Sequence, residues 1–310
     1  MELLYLFEKI RFPALDKLML LITAFGEETA FLVVAMILFW CVDKKKGYYV
    51  MAVGFLGTLL NQILKLTFRV PRPWVLDPEF TIVEQAREAA SGFSFPSGHS
   101  TSAVGTFGAV GYVSRNPLVK YLCYGICVLV PLSRMYLGVH TPADVLVGAG
   151  LAVILILLLS SVARRQSDNR IRNILALILA LSVSLVLYTR FFPFTIEADQ
   201  LHNLTSGSKN GYTMLGASLG LLVVYPLERK YVNFETKAVW WVQILKVLLG
   251  FAVVLAVKEG LRAPLDALFA GHMAARAVRY GLMVLVAGLV WPMTFRWFSK
   301  IGAKHELRSH

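Results

Sequence analysis

Residues 133–144 hold the side chains of this sequence best suited to chemistry. They join two strongly apolar segments, yet they carry Arg134, His140 and Asp144. Ionisable groups at the end of a membrane span are costly and therefore indicate function. Because His140 and Asp144 are four residues apart, a helical path would let the carboxylate hold one imidazole nitrogen and leave the other free to attack. Arg134 has a planar fork suited to phosphate, although interfacial anchoring alone would also explain this stretch.

Two further stretches carry groups that could bind an anion. Lys65 and Arg72 are seven residues apart, so both cations could project from one helix face before the neighbouring prolines end the helix. Ser97 can cap a helix, and Gly98 lets its backbone N–H approach an anion at the positive helix end, beside His99. Alone, each stretch fits a basic helix end or a plain cap. Together they predict a site for one tetrahedral anion.

The composition places these residues in a membrane protein. The 310 residues are 57% hydrophobic and 16% charged, which no soluble domain of this size requires. The spans should be helical, because a helix satisfies its own backbone hydrogen bonds. The formal net charge of +12 is better explained by basic loops on one membrane side than by nucleic acid, which we do not expect as a partner. The three cysteines lie in apolar runs and indicate neither disulfides nor a metal site.

Nine apolar segments approach the roughly 20 residues that one crossing requires. They lie at 21–42, 47–66, 97–113, 119–137, 141–163, 174–188, 211–227, 239–257 and 274–295. Residues 1–18 are predicted to form an amphipathic helix in the membrane interface. A polar loop at 69–95 should contain a helix at 84–90, a basic hinge lies at 164–172, and a second polar loop lies at 190–210.

Basic loops predict the orientation of the chain. Lysine and arginine clusters fall on one side if every segment crosses, and the positive-inside rule makes that side cytoplasmic. These clusters lie at 44–46, 115–120, 164–172, 229–230 and in the C-terminal tail. The three chemical stretches then share the opposite, extracytoplasmic face. Short loops favour a bacterial inner membrane.

In order along the chain, these residues resemble the three-part signature of the type 2 phosphatidic acid phosphatase (PAP2) superfamily. The matching positions are Lys65, Arg72-Pro73, Pro96-Ser97-Gly98-His99, Ser133-Arg134, His140 and Asp144. The resemblance implies an all-α, polytopic membrane fold with a six-helix PAP2-like catalytic core at 21–190. An interfacial helix at 1–20 would precede this core, and about three additional transmembrane helices would follow in an extension at 191–310. Beyond 190 the chain is more weakly similar to sphingosine-phosphate phosphatases.

The resemblance implies a membrane lipid phosphate phosphatase with a phosphohistidine intermediate. His140 would be the nucleophile, Asp144 would orient it, and His99 would protonate the leaving alcohol and later activate water. The phosphoryl oxygens would be bound by Lys65, Arg72, Ser97, Gly98 and Arg134. Since three fixed cations could stabilise the charge of the transferring group, we expect no metal and no cofactor.

The substrate is expected to be a lipid phosphomonoester or diphosphate from the surrounding membrane. The loop at 74–95 would border the entrance, where Trp74, Phe80 and Phe93 could contact the tail or headgroup or could be simple interfacial anchors. Two other functions stay open. A lipid phosphotransferase would pass the phosphoryl group to another lipid, and a transporter would retain the signature as a vestige, although we find no pair of broken helices typical of transporters.

The C-terminal extension carries polar residues that the signature does not explain. His272, Arg276 and Arg279 share a helix face and could form an accessory headgroup site, or could be snorkelling anchors. Lys246 lies well inside the eighth apolar segment. Glycines spaced along 211–220 predict close helix packing, and the extension could also support a homodimer.

Overall fold

The computed structural model describes residues 1–164, 168–192, 194 and 201–306. Within these residues every regular element is helical, which confirms the predicted all-α class. Six helices are long and apolar enough to cross a membrane, or seven if the bent pair Pro13–Ala24 and Glu28–Val42 forms one span. The chain is therefore a multi-pass membrane protein.

Nine α-helices precede residue 165. They are α1 (Glu2–Lys9), α2 (Pro13–Ala24), α3 (Glu28–Ile37), α4 (Lys44–Phe68), α5 (Pro73–Leu76), α6 (Gly98–Ala103), α7 (Ala109–Val113), α8 (Pro117–Tyr136) and α9 (Pro142–Arg164). A π-helical turn, Leu38–Val42, extends α3, and another, Val104–Gly108, joins α6 to α7 in one continuous helix.

The remaining described helices begin after the gap at 165–167. They are α10 (Asp168–Phe191), α11 (Leu201–Leu227), α12 (Trp240–Gly260), α13 (Arg262–Leu268), α14 (Ala274–Leu285), α15 (Trp291–Met293) and α16 (Phe295–Glu306). Two π-helical turns continue α11 and α14, at Glu228–Val232 and Val286–Val290.

Several local predictions at the amino-terminal half were wrong. The helix expected over 1–18 is two helices, because Pro13 opens α2 and proline suits the first turn of a helix. The first predicted span, 21–42, is bent by 49° between α2 and α3. In place of the helix at 84–90 there is one 3₁₀ turn, Glu84–Ala86.

The remaining differences concern the later loops and the count of spans. The polar loop expected to reach residue 210 ends earlier, since α11 already begins at Leu201. The predicted hinge at 164–172 lies partly outside the described residues. The helix at 98–113 and α11 are not among the helices that meet the length and composition of a span. The count of nine spans therefore stays a prediction.

The chain forms two compact units. The first comprises Met1–Ala35, Tyr49–Arg165 and Phe191–Gly207, and the second comprises Met36–Tyr48, Gln166–Arg190 and Ser208–His310. We call them the first and second unit. The domain boundaries predicted from the sequence, after residues 20 and 190, stay predictions.

In the second unit a buried lysine bonds to backbone carbonyls. Lys246 of α12 is 1% exposed, and its Nζ donates to the carbonyl of Trp40 at 3.0 Å and to that of Thr236 at 3.2 Å. The ring of Phe295 lies 4.2 Å from the same nitrogen. The charge of Lys246 is thus solvated by carbonyl dipoles and an aromatic face rather than by a carboxylate.

Helices α11 and α14 of the second unit touch through their glycines. A Cβ on Gly216 would collide with the carbonyl oxygen of Ala277, and one on Gly220 would lie 2.9 Å from the carbonyl oxygen of Gly281. The backbones can approach this closely only without side chains. The predicted close packing at these glycines is confirmed.

We expect Gly216→Ala to lower the thermal unfolding midpoint of the purified protein by several degrees, because α11 and α14 must separate to admit one methyl group. Gly125→Ala in α8 is the matched control, since nothing lies within 4 Å of its Cβ position. That control should leave the midpoint unchanged or raise it, because alanine favours helix by about 1 kcal/mol. Equal midpoints for the two variants would contradict the close contact at Gly216.

Candidate active site

The amino-terminal ends of α6 and α9 meet in the first unit. Ser97 caps α6, as predicted, by accepting a hydrogen bond from the N–H of Ser100 at 3.3 Å, and its own N–H donates to the carbonyl of Asp144 at 2.9 Å. A Cβ at Gly148 would lie 2.6 Å from the Ser97 carbonyl oxygen. Glycine at 148 therefore allows the close approach that joins the second and third parts of the signature.

The turn between α8 and α9 presents His140. Gly138 has a φ of +81°, a left-handed conformation that glycine adopts without strain. A Cβ there would lie 2.8 Å from Nη2 of Arg11 and 3.0 Å from the ring of Phe80. The N–H of Val139 donates to the carbonyl of Arg134 at 3.2 Å. Tight packing around this turn fixes the position of His140, just before α9.

The hydrogen bonds of His140 define which ring nitrogen carries the proton. Nη1 of Arg72 lies 2.9 Å from Nε2 of His140. Because a guanidinium only donates, Nε2 must offer a lone pair, which places the proton on Nδ1. Nδ1 lies 3.5 Å from Oδ2 of Asp144 and 3.5 Å from Oγ of Ser94. This is the tautomer that a nucleophilic Nε2 requires.

The surroundings of His140 keep its ring neutral. The side chain is almost wholly buried. Burial, followed by the positive charges of Arg72, Arg134 and Lys65, lowers the pKa of His140 well below its ordinary value. A neutral imidazole keeps the lone pair that attack on phosphorus requires.

Asp144 is held by a hydroxyl that the sequence did not reveal. Its Oδ2 accepts hydrogen bonds from Oγ of Ser94 at 2.6 Å and from the N–H of Thr141 at 2.7 Å. Ser94 is fully buried and contacts both Asp144 and His140. It belongs to no spacing that marks a motif, and only its place three residues before Ser97 could have drawn attention to it.

Two of the signature cations are held by one short run of carbonyls. Nζ of Lys65 donates to the carbonyls of Phe93 and Ser94, the latter at 3.4 Å. Arg72 donates through Nε to the carbonyl of Gly92 at 3.1 Å, and through Nη2 to the carbonyl of residue 91 at 3.0 Å. The prediction that both cations share a helix face was wrong, because α4 ends at Phe68 and Arg72 lies beyond it in extended backbone.

Arg134 and His99 have unpaired polar atoms at the site. Arg134 is fully buried, and its Nη1 donates to Oγ1 of Thr23 at 3.0 Å. Its Nε and Nη2, and Nε2 of His99, have no hydrogen-bond partner among the described residues. The positive charges of Arg134, Arg72 and Lys65 all oppose a positive charge on the ring of His99. Buried donors without partners are costly, so this arrangement favours binding of an anion.

The charge balance of the site also favours binding of an anion. Lys65, Arg72 and Arg134 are each at most 6% exposed, and Asp144 is 1% exposed. Asp144 acts on Lys65 and Arg72, whereas the exposed Glu27 is the carboxylate that acts on Arg134. No group of three or more His, Cys, Asp or Glu side chains that could hold a metal ion occurs in the described part of the chain.

A cavity of about 500 Å³ adjoins Arg72 in the first unit. Its wall is partly apolar, with Trp74, Val75 and Phe93, and partly polar, with Arg87 and the start of α11 at His202 and Asn203. The loop predicted to border the entrance thus contributes to this cavity. Its volume lies in the range of small-molecule sites.

Of the three loop aromatics predicted to meet the substrate, Phe80 does not line this cavity. It is 3% exposed, and its ring packs edge-on against Tyr5 of α1 at 5.4 Å. The guanidinium of Arg11 lies 5.4 Å from the same ring. Phe80 is therefore part of the contact between the loop and the amino-terminal helices, and its contact with the substrate stays a prediction.

Comparison with known proteins identifies the family. A model of the PAP2 superfamily matches residues 45–168, and a model of the PAP2 superfamily phosphatase transmembrane extension matches residues 212–304. The phosphatidylglycerophosphatase B of Bacillus subtilis is 32% identical over 164 residues, which cover 48% of this chain and 75% of that relative. The chain belongs to the PAP2 superfamily.

Other relatives of this PAP2 phosphatase are named as phosphatases of different lipids. An undecaprenyl-diphosphatase of Bacillus subtilis is 29% identical over 143 residues, covering 46% of this chain and 71% of the relative. A probable sphingosine-1-phosphate phosphatase of Dictyostelium discoideum is 33% identical over 145 residues, covering 43% of this chain and 34% of the relative. No solved structure matches the chain.

The structure brings the signature residues of this PAP2 phosphatase into one buried site. Arg72 contacts His140, Asp144 contacts His140, and Ser97 contacts Asp144. Lys65 reaches the same site through the carbonyl of Ser94. The individual roles assigned to these residues from the resemblance stay predictions.

We expect Ser94→Ala to lower kcat about 10- to 100-fold, since a hydrogen bond to a charged group contributes roughly 1.5–3 kcal/mol. Loss of the hydroxyl should also displace the pH profile of kcat/KM, because Asp144 loses a donor beside His140. Ser94→Thr, which keeps a hydroxyl, should restore part of the rate.

Ser182→Ala is the matched control for this prediction. Ser182 is equally buried, but its hydroxyl donates at 2.7 Å to the carbonyl of Ile178 in its own helix, α10. Its kcat and pH profile should stay near the wild-type values. Similar losses in both serine variants would mean that Ser94 acts only on stability.

Proposed function

We propose that this PAP2 phosphatase hydrolyses a lipid phosphate through a phosphohistidine formed on Nε2 of His140. The observation that supports the proposal most is the placement of Nε2, which offers its lone pair beside three buried cations. The named activities of the relatives, on phosphatidylglycerophosphate and on undecaprenyl diphosphate, support a lipid substrate.

In the first step Nε2 attacks phosphorus and the bond from phosphorus to the leaving oxygen breaks. His99, protonated once the negative phosphoryl group offsets the three cations, gives its proton to that oxygen, and the departing lipid carries it away as an alcohol or as a lipid phosphate. Asp144 stabilises the imidazolium that forms, because it lies near the Nδ1 proton. The charge on the three equatorial oxygens is met by Lys65, Arg72 and Arg134.

In the second step water attacks the phosphohistidine. His99, now neutral, accepts a proton from this water, the bond from phosphorus to Nε2 breaks, and inorganic phosphate leaves. Ser97 and Gly98 at the start of α6 would hold phosphoryl oxygens throughout, at a helix end that favours negative charge. The cycle returns His140 to its neutral form.

The cavity beside Arg72 would receive the part of the lipid next to the phosphoryl group. Its apolar wall suits the start of an alkyl or isoprenyl chain, and its polar side suits a hydroxyl or a second phosphate. The basic loops support a site on the extracytoplasmic face of the membrane, and the bacterial relatives support a bacterial cell membrane.

The decisive experiment measures phosphate release by the detergent-solubilised protein in the presence of a chelator. The panel contains isoprenyl diphosphate, phosphatidylglycerophosphate, phosphatidate and a sphingoid-base phosphate. We expect release from at least one lipid class and a loss of more than about 10³-fold in His140→Ala, as expected when a nucleophile is removed.

His272→Asn provides the control, since this exposed histidine belongs to the second unit. It should keep the wild-type rate. Release by His140→Ala near the wild-type rate would disprove the nucleophile. Release that appears only when a second lipid is added would instead support a phosphotransferase.

The cavity yields a separate prediction on binding. Val75 lines it and is 54% exposed, so Val75→Trp should fill the space without disturbing the core. We expect KM for the preferred lipid to rise about ten-fold with little change in kcat, the pattern of lost binding alone.

Val75→Ala, at the same position, adds no volume and should keep the wild-type KM. An unchanged KM in Val75→Trp would show that the substrate does not use this cavity. A lowered kcat at constant KM would lead to the same conclusion, because binding would again be unaffected.

A further inference from the structure

Arg279 is a buried arginine in the second unit, and no carboxylate of the described residues forms an ion pair with it. It lies in α14, it is 8% exposed, and its Nε has no hydrogen-bond partner among the described residues. A snorkelling arginine would instead extend its head into water at the edge of the protein. Burial of a guanidinium whose charge no described carboxylate balances is costly, which indicates that something else neutralises Arg279.

A second arginine stands one turn before it on the same helix. Nε of Arg276 donates to Oγ1 of Thr213 in α11 at 2.6 Å. The guanidinium carbons of Arg276 and Arg279 lie 5.2 and 5.8 Å from the centre of the Tyr280 ring. Like charges at this spacing repel each other. An anion bound between the two guanidinium groups would remove that repulsion.

The neighbouring acidic side chains do not serve as this anion. Glu259, at the end of α12, lies 3.8 Å from Nζ of Lys258. None of the ion pairs found among the described residues joins a carboxylate to Arg276 or Arg279. None of the described carboxylates thus forms an ion pair that would compensate the positive charge at this end of α14.

The depth of the two arginines matches the headgroup layer of a bilayer. Ala274–Ser299 is long and apolar enough to span. At 1.5 Å per residue, Arg276 and Arg279 lie about 3 and 8 Å from its start. The polar layer on each side of the hydrocarbon core is about 5–8 Å thick. Both guanidinium groups therefore lie where lipid phosphates are found.

We propose that Arg276 and Arg279 bind the phosphate of an anionic phospholipid at the amino-terminal end of α14. The forked donors of arginine suit a phosphate, and Thr213 and Tyr280 fix the two side chains on either side of it. This site belongs to the second unit and is independent of the hydrolytic chemistry proposed for His140.

The test follows thermal unfolding of the full-length protein in a neutral detergent. Phosphatidylglycerol, phosphatidylcholine with the same acyl chains, and inorganic phosphate are titrated separately. We expect phosphatidylglycerol to raise the midpoint by roughly 5 °C at about 100 times its dissociation constant, as ligand linkage predicts. Phosphatidylcholine and inorganic phosphate should give little change. This shift should be absent in Arg279→Gln and reduced in Arg276→Gln.

Arg262→Gln is the matched control, because Arg262 is an exposed arginine of the adjacent helix α13. It should keep the full shift. If Arg279→Gln does not fold, Arg276→Gln and the count of phosphatidylglycerol molecules retained in native mass spectrometry test the same site. Equal shifts in the wild type and both arginine variants would overturn the proposal. An equal shift with inorganic phosphate would show that free phosphate, not a lipid, occupies the site.

Discussion

The desolvation of three positive charges at one point is the constraint on which the first unit depends. A buried ion costs several kcal/mol even after the protein relaxes around it. Lys65 and Arg72 share the buried carboxylate of Asp144, and Arg134 is influenced by the exposed carboxylate of Glu27. The remainder of the compensation comes from backbone carbonyls, from the hydroxyl of Thr23, and in the working enzyme from the phosphoryl group.

That constraint explains why the loop before α6 has little regular structure. Its carbonyls at 91–94 point to Lys65 and Arg72, and a carbonyl used in this way cannot also accept a bond within a helix. The helix predicted at 84–90 would have extended toward this run. Lys246 in the second unit is solvated in a similar way, by the carbonyls of Trp40 and Thr236.

The sequence was informative where one physical rule acts alone. Span length and the cost of an unsatisfied backbone predicted a helical membrane fold, and cap chemistry predicted the start of α6 at Ser97. The sequence did not predict the contacts that depend on residues far apart along the chain. Ser94 is special only because Asp144 and His140 lie beside it, and Arg72 reaches the site from beyond the end of α4, not along its face.

The amino-terminal helices show how far the site extends beyond the matched family region, which begins at residue 45. Thr23 of α2 bonds to Arg134, and Arg11 bonds to the carbonyls of Tyr136 and Thr81 at 2.9 and 2.7 Å. Arg11 therefore ties the end of α8 to the loop that carries the cavity. Since these bonds fix the turn that presents His140, the amino-terminal helices belong to the machinery of the first unit, and an interfacial location would be additional to that role.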